Sequence, residues 1–104
     1  MNEIYRQGDV LVQRVEEIPA DVTPVKRESG RIVLAHGEVT GHAHAIKNRA
    51  AKFYETSTGE RYLSLPKEST LDHEEHSTIV LPAGKYRVIR QREYHPEEIR
   101  NVAD

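Results

Sequence analysis

Ser77-Thr78-Ile79-Val80-Leu81-Pro82-Ala83-Gly84-Lys85-Tyr86-Arg87-Val88-Ile89-Arg90 is the stretch on which the fold class turns. Two runs rich in β-branched and aromatic residues flank a Pro-Ala-Gly step, and such runs favour a pleated, half-buried surface over a helix. Pro82 presets φ for a first turn residue, and Gly84 suits the left-handed bulge position of a three-residue loop, so the segment predicts a β-hairpin. A second hairpin is expected upstream, with strands from Ala51 to Glu55 and from Glu60 to Leu65 around Thr56-Ser57-Thr58-Gly59. Nearer the N-terminus, Gln7-Gly8-Asp9 signals a turn before a strand over Val10 to Val15. Arg31 to Ala35 reads as another strand, and Glu38 to Ile46 as a third, broken at Gly41. Residues 16–30, with Pro19, Asp21, Pro24 and Ser29, read as loop. His95-Pro96-Glu97-Glu98-Ile99 suits a short helical turn, with Pro at its first position and acids at its positive end. The expectation is one all-β domain over residues 1–104, a small antiparallel barrel or sandwich of six to eight short strands with a short C-terminal helical turn.

Composition narrows the function classes. With 104 residues the chain is the size of one ordinary domain. Its 15 Lys and Arg face 17 Asp and Glu, for a net charge of −2. Binding along a nucleic-acid backbone needs a net basic face, so this balance argues against it. There is no run of the roughly 18 apolar residues that spans a bilayer. Met1-Asn2-Glu3-Ile4-Tyr5-Arg6 lacks the charged-then-apolar layout of an export signal, so a cytoplasmic location is expected. The absence of Cys removes disulfides, thiol catalysis and Cys-based zinc sites together.

The histidines are the most informative residues. Four of the six fall in two clusters, Gly41-His42-Ala43-His44 and Asp72-His73-Glu74-Glu75-His76. On an extended chain positions two apart share a face, so His42 and His44 are expected to point together, away from small Gly41, Ala43 and Ala45. Neither is expected to fill the core. Neutral imidazole is a common metal ligand, and two ligands from one strand need a third from elsewhere. His73 and His76, with Glu74 or Glu75 as further ligand or base, would supply it if their segment folds over the strand carrying His42. Zn, Mn, Fe or Ni would each accept such a donor set. The bland alternatives are solvated surface histidines and an ordinary polar turn at residues 73–76. His36 beside Gly37 reads as a turn residue, and Asp9 as a side chain that holds its own turn or offers a carboxylate.

Other motifs are rejected on spacing. His73-Glu74-Glu75-His76 places its histidines at i and i+3 and is not the zinc-protease H-E-x-x-H. The glycines form no phosphate-binding loop. Lys85, Arg87, Arg90 and Arg92, close to Tyr86 and Tyr94, could contact a protein or nucleic-acid partner. The plainer reading is an edge strand that uses charge against aggregation, and edge strands would also be the route to an oligomer.

His42-Ala43-His44 and Pro82-Ala83-Gly84 are similar to fragments of the two cupin motifs, in the same order. No Glu follows His44 before Glu55, and Arg87 stands where a cupin's later His is expected, so the similarity implies a β-barrel scaffold more than cupin chemistry. The fuller resemblance is carried by Gln7-Gly8-Asp9-Val10, Gly37-Glu38-Val39-Thr40-Gly41-His42-Ala43-His44, His73-Glu74-Glu75-His76, and Leu81-Pro82-Ala83-Gly84 through Arg90-Gln91-Arg92-Glu93-Tyr94. Over most of its length the chain resembles a group of uncharacterised proteins of similar size from bacteria and phages. That resemblance implies no activity. Two functions from different classes follow: a histidine-based divalent-metal protein, or a non-catalytic interaction module from a mobile element or accessory locus.

Overall fold

A computed structural model of the chain describes residues 3–37 and 41–91. Ten strands run in order: β1 (Ile4–Gln7), β2 (Val10–Val15), β3 (Thr23–Pro24), β4 (Ile32–His36), β5 (Ala43–Ile46), β6 (Lys52–Glu55), β7 (Arg61–Leu65), β8 (Ser69–Leu71), β9 (Ile79–Leu81) and β10 (Gly84–Arg90). Among the described residues there is no helix, and none therefore long and apolar enough to cross a membrane. The expected helical turn over residues 95–99, Arg92, and the start of the strand predicted from Glu38 all lie outside the described residues.

Six strands form one antiparallel sheet in the order β1-β2-β10-β7-β6-β3, while β4–β5 and β8–β9 form separate two-stranded ribbons. Among the described residues β1 and β3 are the outer strands of the large sheet, and its ladder of hydrogen bonds is not seen to close as a barrel's does. One apolar cluster joins all three sheets. It takes Val10 and Val12 from β2, Leu63 and Leu65 from β7, and Tyr86 and Val88 from β10; Leu34, Ile46, Leu71 and Leu81 come from the ribbons. Alternate residues of a strand share a face, and the large sheet turns these apolar alternates toward the ribbons.

The hairpins are short and have visible causes. Gly8, at φ 60°, makes the two-residue turn that pairs Gln7 with Val10. Gly59, at φ 91°, closes the Thr56–Glu60 loop, which sets Glu55 opposite Arg61 and confirms the β6–β7 hairpin.

The hairpin expected around Pro82 is overturned. β9 pairs with β8, and β10 pairs with β2 on one side and β7 on the other. Pro82-Ala83-Gly84 therefore carries the chain from a ribbon into the centre of the large sheet. Both edges of β10 are occupied by longer partners, which leaves none for β9. The corner is fastened by the Tyr86 hydroxyl, which donates to the Pro82 carbonyl oxygen at 2.6 Å. A Cβ at Gly84 would lie 2.7 Å from Arg14 Cζ, so glycine lets the chain pass close to that side chain. The same placement corrects the edge-strand reading of Lys85, Arg87 and Arg90: they lie on a central strand. The segment read as loop contains β3, a two-residue strand whose Pro24 sits on an outer edge of the sheet, where a missing N–H costs no ladder bond.

Candidate metal centre

The two histidine clusters meet because β5 is paired on both sides. On one side it pairs with β4. On the other, Ala45 and Asp72 exchange both backbone hydrogen bonds, each 2.9 Å long. Continuing that antiparallel register sets His44 across from His73, and their ring centroids are 4.4 Å apart. His73 also lies 5.7 Å from His42 and 4.6 Å from His76, while His44 stacks on His76 at 5.7 Å. All four histidines share one cluster.

Within it, His42, His73 and Glu74 each offer one ligand atom, and these three atoms lie within 4.8 Å of one another. Two imidazoles and a carboxylate at that separation could hold a divalent first-row ion. His42 Nδ1 is buried and has no hydrogen-bond partner; the nearest acid, Glu75 Oε2, is 3.6 Å away. Buried polar atoms are nearly always partnered, so an orphaned imidazole nitrogen on a residue grouped with a second His and a carboxylate fits a donor set that an ion completes. Glu74 Oε1 accepts the Ala43 backbone N–H at 2.9 Å, and this bond above all lowers the carboxyl pKa, helped by Glu74's own N–H. Glu74 is therefore firmly ionised at neutral pH. His73 Nδ1 accepts the backbone N–H groups of Glu75 (3.0 Å) and His76 (3.3 Å), which holds the turn together. A neutral His73 bonded in this way carries its proton on Nε2. Taking up an ion therefore displaces either that proton or those two backbone bonds.

His44 corrects the expectation that neither strand histidine fills the core. Its side chain is only 3% exposed. Its Nδ1 lies 2.8 Å from Gln7 Oε1, and the Gln7 amide nitrogen donates to the Leu71 and Ser77 carbonyls at 2.8 and 2.9 Å. Those two carbonyls fix which end of the Gln7 amide is oxygen, so His44 Nδ1 must be the donor and Nε2 keeps its lone pair. Burial, and next the neighbouring His73, lower the His44 pKa to about 4, which keeps the ring neutral at neutral pH. A neutral imidazole anchored through one nitrogen with the other left bare is the arrangement that metal-ligating histidines adopt.

Glycines make room for the cluster. A Cβ at Gly8 would stand 2.7 Å from His76 Nε2, and one at Gly37 would stand 3.0 Å from His42 Cβ and 3.1 Å from His73 Nε2. Gln7, Gly8 and Gly37 are the contributors that sequence reasoning missed as site residues; their proximity to the histidines is set by tertiary pairing, and no local pattern marks it.

The remaining expectations separate cleanly. Glu75 stands beside His42, and His36 pairs with Glu28 at 3.1 Å. Asp9 neither caps its own turn alone nor meets His44 at bonding distance: its Oδ2 takes Arg90 Nε at 3.1 Å, and its Oδ1 is 3.8 Å from His44 Nε2. Arg90 also donates to the His36 carbonyl, so it ties two segments of the fold.

Residues 6–91 match the model of a family described as a domain of unknown function, DUF8820. No curated protein and no solved structure matches the chain.

Proposed function

The chain belongs to the DUF8820 family, and on the chemistry of its own cluster we propose that it is a divalent-metal-binding protein. His42, His73 and Glu74 supply the first three ligands, and His44 and His76 stand beside them. The buried, unpartnered Nδ1 of His42, a residue that stands in the three-residue group, is the observation that carries this reading. Zinc, manganese, iron(II) and nickel all accept two imidazoles and a carboxylate, so the donor set defines a class of ion and not one element. Bound in this way, the ion would supply Lewis acidity and a lowered pKa to a coordinated water. The protein's own part is to keep Glu74 ionised, His44 neutral and the imidazoles close-packed.

The test is elemental analysis of untagged protein, joined to melting curves with and without added ion. An ion that binds only the folded chain raises the melting temperature, and the stabilisation grows with the logarithm of ligand excess over the dissociation constant. Near-stoichiometric metal and a rise with Zn²⁺ or Mn²⁺ at pH 7 are expected. The combined variant His42→Ala with Glu74→Gln should keep the sheet spectrum and lose both. Buried His44 is the wrong residue for this experiment, since its removal would disturb packing as well as ligation. Absence of metal from the purified protein, with no melting response to any of the four ions, would refute the reading.

A further inference from the structure

The strongest unassigned feature beside the cluster is a pair of like charges on neighbouring strands. Extending the β4–β5 register one residue past Ile32 and Ile46 sets Arg31 opposite Lys47. Like charges directly opposite each other in a sheet are destabilising. Among the described residues, neither side chain makes a hydrogen bond or an ion pair that would relieve the repulsion. Both line a cavity of about 210 Å³ that they share with Ala43, Asp72, His73 and Glu74. Two of the three proposed ligands therefore lie in the wall of the same cavity as the two cations.

The charges decide what would enter. Arg31 and Lys47 balance Asp72 and Glu74, so without an ion the ionisable wall is formally neutral. Asp72 is itself partly engaged, accepting the Thr78 hydroxyl at 3.3 Å. A divalent ion adds two positive charges and makes the cavity an anion site. At about 30 Å³ per water, the space holds roughly seven waters, enough for a small oxyanion and too little for a nucleotide.

We propose that this cavity binds the oxyanion group of a small molecule, a carboxylate or a phosphate, between the metal centre and the Arg31–Lys47 pair. The proposal rests on the metal reading above, because the anion is attracted only once the ion is in place. Arg31 supplies a planar fork of donors and Lys47 a point charge, a combination suited to two oxygens of one oxyanion.

The experiment is calorimetric titration of Zn²⁺-loaded protein with inorganic phosphate and, separately, with succinate, at constant ionic strength and with metal content measured on every sample. Saturable binding of at least one anion is expected, and which one binds identifies phosphate or carboxylate as the source. Metal-stripped protein should bind neither. The variant Arg31→Gln with Lys47→Gln should weaken the anion about tenfold or more, the usual consequence of losing charge-assisted hydrogen bonds, while metal content and the metal-induced melting shift stay as in the native protein. Because the substitution removes a repulsive pair, this variant should melt no lower than native protein when stripped of metal. Equal anion affinity in the variant, equal affinity in the stripped protein, or no saturable heat from either anion on fully loaded protein would each overturn the anion site and leave the metal centre standing. A protein that takes up no ion overturns both, and the metal analysis alone reveals that case.

Discussion

At the scale of single residues, His44 couples the cluster to folding. Its folded pKa is about 4 against 6.5 for the free side chain. Between those values the unfolded chain binds a proton that the folded chain refuses. The stabilisation is therefore complete above pH 6.5 and is lost as pH falls toward 4. At about 1.4 kcal/mol per pH unit, the loss reaches roughly 3 kcal/mol at most. Urea midpoints measured with a chelator present should fall between pH 7 and pH 5, and the fall should shrink in His44→Gln. Gln7 is equally decisive. Its buried amide makes three hydrogen bonds, and Gln7→Leu strands the Leu71 and Ser77 carbonyls and the His44 N–H. A buried group left unsatisfied costs about 1–3 kcal/mol, so thermal melting of this variant should drop by several degrees. His44 and Gln7 also show where sequence stops being readable. The two histidine clusters stand out as patterns, but Gln7 lies far from both and looks like any polar residue before a turn.

At the scale of elements, β10 organises the large sheet. Val88 pairs with Val12 on one side and Arg61 on the other, and Tyr86 with Arg14 and Leu63. Its amides should exchange hydrogen more slowly than those of β8 and β9, which form only a two-stranded ribbon. Comparable protection in both places would contradict this topology. Leu63→Ala, at a fully buried position facing this strand, should cost about 2–5 kcal/mol; chemical denaturation measures it directly. The β6–β7 hairpin was legible because its turn and both strands are contiguous in sequence. The hairpin at Pro82 was not, although its local signals are just as strong. Turn chemistry can say that the chain bends there, but the choice of partner belongs to β2 and β7, which compete for β10 with longer registers. A β strand was expected around His42 and His44, yet β5 begins only at Ala43, after a turn at Gly41.

At the scale of the whole molecule, the candidate metal centre lies where the two ribbons join, at the Ala45–Asp72 bridge. An ion held by His42 on one side of that bridge and by His73 and Glu74 on the other would link the ribbons across their narrowest connection. Metal should therefore slow exchange of the Ala45 and Asp72 amides more than those of β2 or β7; uniform slowing would point to simple global stabilisation. The all-β class was legible from the seventeen Val and Ile and the closely spaced turn signals. The division into one six-stranded sheet and two ribbons was not, because alternation along a strand specifies a buried face without specifying which sheet covers it.

The central place of β10 has a consequence for how the protein is made. Val10 and Arg90 are register partners separated by eighty residues of chain. On a ribosome β1 and β2 emerge early, and β6 and β7 follow, but the strand that joins these two hairpins is the last of the ten to be synthesised. Until then the inner edges of β2 and β7 are exposed together in a nascent chain, the condition under which unpaired strands find the wrong neighbour. Slow closure of such distant pairs is an ordinary cost of this kind of topology. The order in which the strands are written thus postpones the large sheet's completion until β10 has followed the other nine.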